Sequence, residues 1–283
     1  MSKPVSLPRL MFRRFARRRA ARASLVIFAL IAALCALAPV IAPYPFDGID
    51  LDSVKQAPSG SHWMGTDDLG RDVFTRMLFG GRVSILIGML AAVVGAFVGT
   101  AIGALAGYYG GALDNLLMRL TDIAYAIPSL PLLIILSAYS RAALVSMVLI
   151  IGLLSWMTTA RVVRSQVLTL REMDYVEAAR SMGATDLRIL ARHIIPNALG
   201  PILVGATLGV GNAIMIESSL SFLGLGVQPP IPTWGNMLMD SQATMATKPW
   251  LTLFPGLAIL LVVLAVNFMG DALRDAVEAD TRS

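Results

Sequence analysis

A chain of 283 residues that is 56% hydrophobic and 14% charged, with a mean hydropathy of +0.71, is too apolar for a soluble globular domain, where about 25% of residues carry charge. Its charges are clustered, and the uncharged stretches between them reach the roughly 20 residues that a helix needs to cross a bilayer. The net charge of +5 comes mostly from Lys3 to Arg22, eight basic residues with no acid among them. Beside a hydrophobic helix such a block fixes orientation and favours anionic lipid, which accounts for it without nucleic acid. The composition therefore predicts an all-α membrane protein.

Residues 1–23 read as a basic cytoplasmic N-terminus and 24–43 as the first transmembrane helix, around SLVIFALIAALCALAPVI from Ser24 to Ile41. A signal cleavage after Ala38 would leave Pro39 just past the cut, and Leu34 before Cys35 is too large for a lipoprotein cut, so the helix is expected to stay uncleaved. Cys35 is the single cysteine and reads as a packing residue. Residues 44–82 form an extracytoplasmic loop with six aspartates, at 47, 50, 52, 67, 68 and 72. In that loop Asp72 and Arg76, four apart, predict an amphipathic helix lying on the membrane. Asp67 and Asp68 are a poor metal pair, because adjacent helical residues do not face one way.

Residues 83–270 read as a five-helix core, with spans at Val83–Ala106, Leu116–Ala138, Ala142–Ala160, Ala198–Leu220 and Trp250–Met269, and 271–283 as a cytoplasmic tail. Six spans put both termini on one side. With that side cytoplasmic, seventeen Lys and Arg lie inside and six outside (Lys55, Arg71, Arg76, Arg82, Arg141 and Lys248), as the positive-inside rule requires. In the second span Ala91, Gly95, Gly99, Gly103 and Gly107 recur every four residues, a ridge that lets a neighbouring backbone come close. Gly205 and Gly209 suggest the same in the fifth span, and Pro128 and Pro131 predict a bend in the third.

Chemistry is largely excluded. There is no GxxxxGK[ST] phosphate loop, and none of the three lysines follows a glycine. There is no HExxH and no GxSxG, and His62 and His193 fall on opposite sides of the membrane in this topology. No catalytic residue, cofactor or metal is expected in this chain. Two acids inside spans are functional suspects. Asp122 reads as an ion pair with Arg119, three residues away, with a proton relay as the alternative. Glu217, followed by Ser218, reads either as a pathway or gate residue near the outer end of the fifth span or as a wetted interfacial group. Met215 and Phe222 read as packing.

The segment 161–197 carries ten charged residues between apolar runs. It predicts a helix from Arg161 to Met182 continuing the fourth span, with Gly183 as its C-cap residue. A short second helix follows over Asp186–His193, capped by Thr185 and ending before Pro196. Leu187, Leu190 and Ile194 would form its apolar face, with Arg188 and Arg192 on another. An ordinary solvated loop needs neither a glycine hinge nor an apolar stripe, whereas a docking element needs both.

DYVEAARSMGATDLRILARHIIPNALGPI resembles the EAA loop of ABC importer permeases, with Glu177, Ala178, Ala179, Gly183 and Pro196 at the motif positions. HWMGTDDLGRDVFTRMLFGGRVSIL, MRLTDIAYAIPSLPLL, ESSLSFLGLG, WGNML and FPGLAILLVVLAVNFMGDALRD resemble the second permease of dipeptide, oligopeptide and nickel importers. The tail LRDAVEADTRS departs from the LRDALDPR common there. The resemblance implies a type I importer transmembrane fold in a bacterial inner membrane and a heterodimer with a homologous permease. It also implies an extracytoplasmic binding protein that docks on the outer loop, and two cytoplasmic ATPase subunits that hold ATP and Mg and meet the loop through Glu177 to Gly183, Asp186 and Arg188. Peptide is the implied cargo. A nickel chelate or other small solute, or an ion-coupled secondary transporter using Asp122 or Glu217, are the alternatives.

Overall fold

A computed structural model describes residues 18–140 and 144–278. The basic block before Arg18, Arg141 and the end of the tail lie outside them. The described residues form an all-helical bundle: α1 (Arg19–Ala36), α2 (Ala38–Ile41), α3 (Val73–Tyr109), α4 (Gly111–Ala126), α5 (Ser129–Tyr139), α6 (Leu144–Leu153), α7 (Trp156–Leu170), α8 (Asp174–Ser181), α9 (Asp186–Ile189), α10 (Ile195–Phe222), α11 (Trp234–Ser241) and α12 (Trp250–Glu278). Four helical segments are long and apolar enough to cross a membrane: α1, α3, α12, and the stretch Asp186–Phe222 that ends in α10. Counting the bent pairs α4–α5 and α6–α7 as one span each gives six.

The central element is α3, 37 residues long and so about 55 Å from end to end. It begins ten residues before the expected span, because Asp72 caps it, its carboxylate accepting the Thr75 N–H at 2.8 Å. The separate amphipathic helix expected around Asp72 and Arg76 is therefore the first turn of this span. The glycine ridge packs on α7. A β-carbon on Gly99 would stand 2.6 Å from the Trp156 carbonyl oxygen, one on Gly103 2.3 Å from that of Ala160, and one on Gly107 2.8 Å from that of Arg164. Gly205 and Gly209 have only ordinary contacts, at 3.8 and 3.5 Å. They are not a second ridge, because their face of α10 borders open space.

The third span breaks by 83° between α4 and α5. Pro128 holds Ile127 in the extended region (φ −78°, ψ 124°), as proline does to the residue before it. Pro131 falls in the first turn of α5, where its missing N–H costs no helical bond. The fourth span bends by 44° at Leu154–Ser155, where the Ser155 hydroxyl donates back to the Ile151 carbonyl at 2.6 Å. The last helix runs nine residues beyond the expected Met269, and Arg18 and Asp275 pair across the first and last helices.

If α3 and α7 depend on backbone approach, Gly103→Val destabilises the purified chain by about 1–3 kcal/mol or more, the usual cost of overpacking. Gly256→Ala, where a β-carbon meets nothing within 4 Å, leaves it unchanged. Thermal unfolding in detergent measures both.

Candidate coupling knob and translocation groove

The polar segment is built in four pieces rather than two. A three-residue turn at 171–173 separates α7 from α8, so α8 is its own helix and not the end of the fourth span. It closes in a Schellman turn: Gly183, at φ +81°, donates to the Arg180 carbonyl at 2.9 Å, and Ala184 donates to that of Ala179 at 3.1 Å. Thr185 stands at the N-cap of α9 but makes no side-chain cap bond. The chain does not stop before Pro196. A wide turn over Leu190–Ile194, with the Ile195 N–H bonded to the Leu190 carbonyl five residues back, carries α9 into α10. Such a turn lets the helix continue where Pro196 can supply no N–H.

The knob's root is apolar. Val176, Ala179, Ile189, Leu190 and Ile194 are buried with Ala104 and Tyr108 of α3 and Val163 and Val167 of α7. Ile189, not Leu187, completes the buried stripe. Leu187 is 76% exposed and Met182, one residue before the glycine, 82% exposed. Glu177, Ala178, Gly183, Asp186, Arg188 and Pro196 are exposed, while Ala179 is buried in the root. Two large apolar side chains held out beside a rigid turn, among charges, describe a contact surface. Asp186 is the exception to outward reach, since it accepts the Tyr108 hydroxyl at 2.7 Å.

A cavity of about 1490 Å3 opens between α4, α5, α7, α10 and the end of α12. One face of α10 lines it through Gly205, Gly209, Asn212, Met215 and Ser219, spaced three or four apart, so Met215 is a wall residue rather than packing. Ala92 and Gly95 of α3 and Thr158, Thr159 and Gln166 of α7 line the facing wall. Arg274 is the only charged residue among its described lining residues. The lining is mostly apolar, with hydroxyls and amides such as those of Thr158, Thr159, Gln166 and Asn212 scattered along it, and a wall whose described residues carry no charge but Arg274 does not select by charge.

Glu217 and Ser218 do not line it. Glu217 lies on the opposite face of α10 and is fully buried. Its carboxylate accepts from Ser84 of α3 at 2.8 Å and from Ser221 at 2.7 Å, and Ser84 accepts the Trp234 N–H at 3.3 Å. Glu217 thus ties α3, α10 and α11 together, and it is buried rather than wetted. Asp122 pairs with Arg161 of α7 at 2.7 Å, not with Arg119, and Arg161 also stacks 4.3 Å from the Tyr125 ring centroid. Both partners are about half exposed, so the pair is worth at most about 1 kcal/mol. The helix α11, with a capping box between Thr233 and Asn236, was missed in the sequence, although Thr-Trp-Gly-Asn after a proline run has the pattern of a helix start.

At the outer end Asp67 accepts from Arg71 at 2.6 Å and lies 3.3 Å from Arg76. Asp240 of α11 stands farther off, 3.7 Å from Arg71 and 3.8 Å from Arg76. Asp67 is thus committed to arginines, Asp68 lies 3.5 Å from Arg71, and among the described residues no cluster of His, Cys, Asp and Glu could hold a metal. Burial pushes the Asp240 carboxyl above its ordinary value, against the pull of Arg76 and Arg71 and with help from Asp68.

Residues 99–283 match the family described as the binding-protein-dependent transport system inner membrane component, and residues 6–58 match the N-terminal transmembrane domain of oligopeptide transport permease C. The glutathione transport system permease protein of Pectobacterium atrosepticum is 41% identical over 96% of this chain and 91% of its own length. The dipeptide transport system permease protein of Alkalihalophilus pseudofirmus is 40% identical over 96% of this chain and 90% of its own. The oligopeptide transport system permease protein of Bacillus subtilis is 39% identical over 95% and 88%. An inward-facing structure of the MetNI methionine ABC transporter superposes with a TM-score of 0.58 at 19% identity, over 71% of this chain and 96% of that one, which is a likeness of fold. The chain belongs to the binding-protein-dependent inner-membrane transport components. It is a multi-pass permease subunit of an ABC importer with the type I fold, so the ion-coupled reading falls away.

The outer cluster gives a signed prediction. A carboxyl whose folded pKa is raised opposes folding as pH climbs through its unfolded value, and the opposition is complete above the folded one. Asp240→Asn is therefore neutral or stabilising at pH 7, leaving two arginines against Asp67 and Asp68, and the difference from wild type vanishes as pH falls below 4. Asp67→Asn strips both arginines of their near partner and destabilises by several kcal/mol. Unfolding midpoints across pH decide between the two behaviours.

Proposed function

We propose that this chain forms half of the translocation path of an ATP-driven importer of peptides, with the other half supplied by a homologous permease. A soluble extracytoplasmic binding protein delivers cargo to the outer face. Two cytoplasmic ATPase subunits, which hold ATP and Mg, dock on the knob through Met182, Leu187, Glu177 and Arg188 and drive the bundle between its states. The chain itself makes and breaks no bonds.

The observation that carries this is the knob. Its root is locked into the bundle by an apolar core, and its tip exposes Met182 and Leu187 on either side of a glycine turn. An unpartnered loop in water gains nothing from that arrangement. Peptide cargo is supported by the names of the three relatives, which transport glutathione, dipeptide and oligopeptide. The groove is compatible with that cargo, since its mostly apolar wall carries scattered hydroxyls and amides and no fixed charge but Arg274 among its described residues.

Gly183 provides the test. A β-carbon there meets nothing within 4 Å, so a substitution acts only through the left-handed backbone, at about 1–2 kcal/mol for an ordinary side chain. The tagged chain in mild detergent is expected to bring down a second permease and ATPase subunits. Gly183→Leu keeps the permease, loses the ATPases and abolishes ATP-dependent uptake of labelled dipeptide. Gly183→Asn, which tolerates that conformation, keeps most of both. A wild-type chain that purifies alone, or a Leu variant that transports normally, ends the proposal.

A further inference from the structure

The knob has two covalent exits, through the 171–173 turn into α7 and through the wide turn into α10. A third connection is not covalent and comes from α3. Tyr108 lies in the last turn of that helix, a residue 7% exposed, inside the apolar root that holds Val176 and Ala179 of α8 and Ile189 and Leu190 beyond the glycine. Its hydroxyl donates to Asp186 in the first turn of α9 at 2.7 Å, a well-formed O–H···O bond. The Arg180 guanidinium, from the last turn of α8, stands 6.0 Å from the ring centroid. Tyr108 is thus gripped from both limbs of the knob, one on each side of Gly183.

The end of α3 is itself held fast. A β-carbon on Gly107 would lie 2.9 Å from that of Val167, and Arg171 donates to the Gly107 carbonyl at 2.9 Å. At its other end α3 bonds α10 and α11 through Ser84. A helix anchored this way moves as one piece, and Tyr108 is where the knob meets it.

We propose that Tyr108 is a positioning residue for coupling: its hydroxyl latches Asp186 so that the knob moves with α3 and not about Gly183. Asp186 accordingly serves the inside of the subunit and not the ATPase contact. The inference rests on the knob being the ATPase docking element.

The test uses the complete transporter in proteoliposomes, with dipeptide uptake and ATP hydrolysis measured together. Tyr108→Phe keeps the ring and removes one hydroxyl. The expected result is that ATPase subunits co-purify as in wild type while uptake per ATP falls about two- to tenfold, the range of one hydrogen bond. Asp186→Ala is expected to fall equally, and the double variant no further. An unchanged uptake-to-ATP ratio in Tyr108→Phe overturns the latch, and so do losses that multiply in the double variant. Loss of the ATPases from Tyr108→Phe also overturns it, by assigning the hydroxyl to docking. Absence of ATPases from the wild-type complex removes the docking reading instead, and the latch with it.

Discussion

Where α3 crosses α7, two helix backbones touch with almost no side chain between them. In hydrocarbon the hydrophobic effect gives helices little reason to associate, so close van der Waals contact has to supply it. Four glycines at four-residue spacing supply that contact over the whole inner half of α3. The consequence is a rigid pair around which the other spans are arranged. Because α7 leads through one short turn into α8, and α3 ends inside the root of the knob, the cytoplasmic loop is attached to the stiffest part of the molecule.

The same pair explains why the groove lies where it does. With α7 bent away at Ser155 and the third span broken at Pro128, α4 and α5 cannot close over α10. One face of α10 is left open, where Gly205, Gly209, Asn212 and Ser219 stand among apolar side chains such as Leu203 and Met215. The opposite face carries Glu217, a buried carboxyl whose two oxygens accept from Ser84 and Ser221. The helix is two-sided: one side faces the cavity, and the other ties α3 and α11 to each other.

Much of this was legible in the residues. The spans, the glycine ridge, the proline break and the glycine turn each follow from a local rule that nothing distant overrides. What escaped was set at long range. Asp122 had a partner three residues away by sequence, but Arg161 arrives from another span and adds the Tyr125 face. Leu187 fitted the apolar spacing of a straight helix, and the wide turn at Leu190–Ile194 rotated that spacing so that Ile189 went in and Leu187 came out. Glu217 looked like a pathway acid because an intramembrane charge demands a reason. Its reason is Ser84, 133 residues away. Which face of α10 borders the cavity had no signature in the sequence, since glycine, asparagine and serine serve packing as readily as an open surface.

The proposed path runs along that face. Cysteine labelling at Asn212 tests it directly, in the assembled transporter and in a Cys35→Ala background that leaves no native thiol in this chain, with the label read on this subunit. Asn212→Cys is expected to react with a membrane-impermeant maleimide, from the cytoplasmic side in one nucleotide state and from the outer side in the other. Ile214→Cys, two residues on and buried, stays unreactive. Labelling of the Asn212 position only by lipid-soluble reagents, in every nucleotide state, would place that face against lipid and contradict the groove as the path.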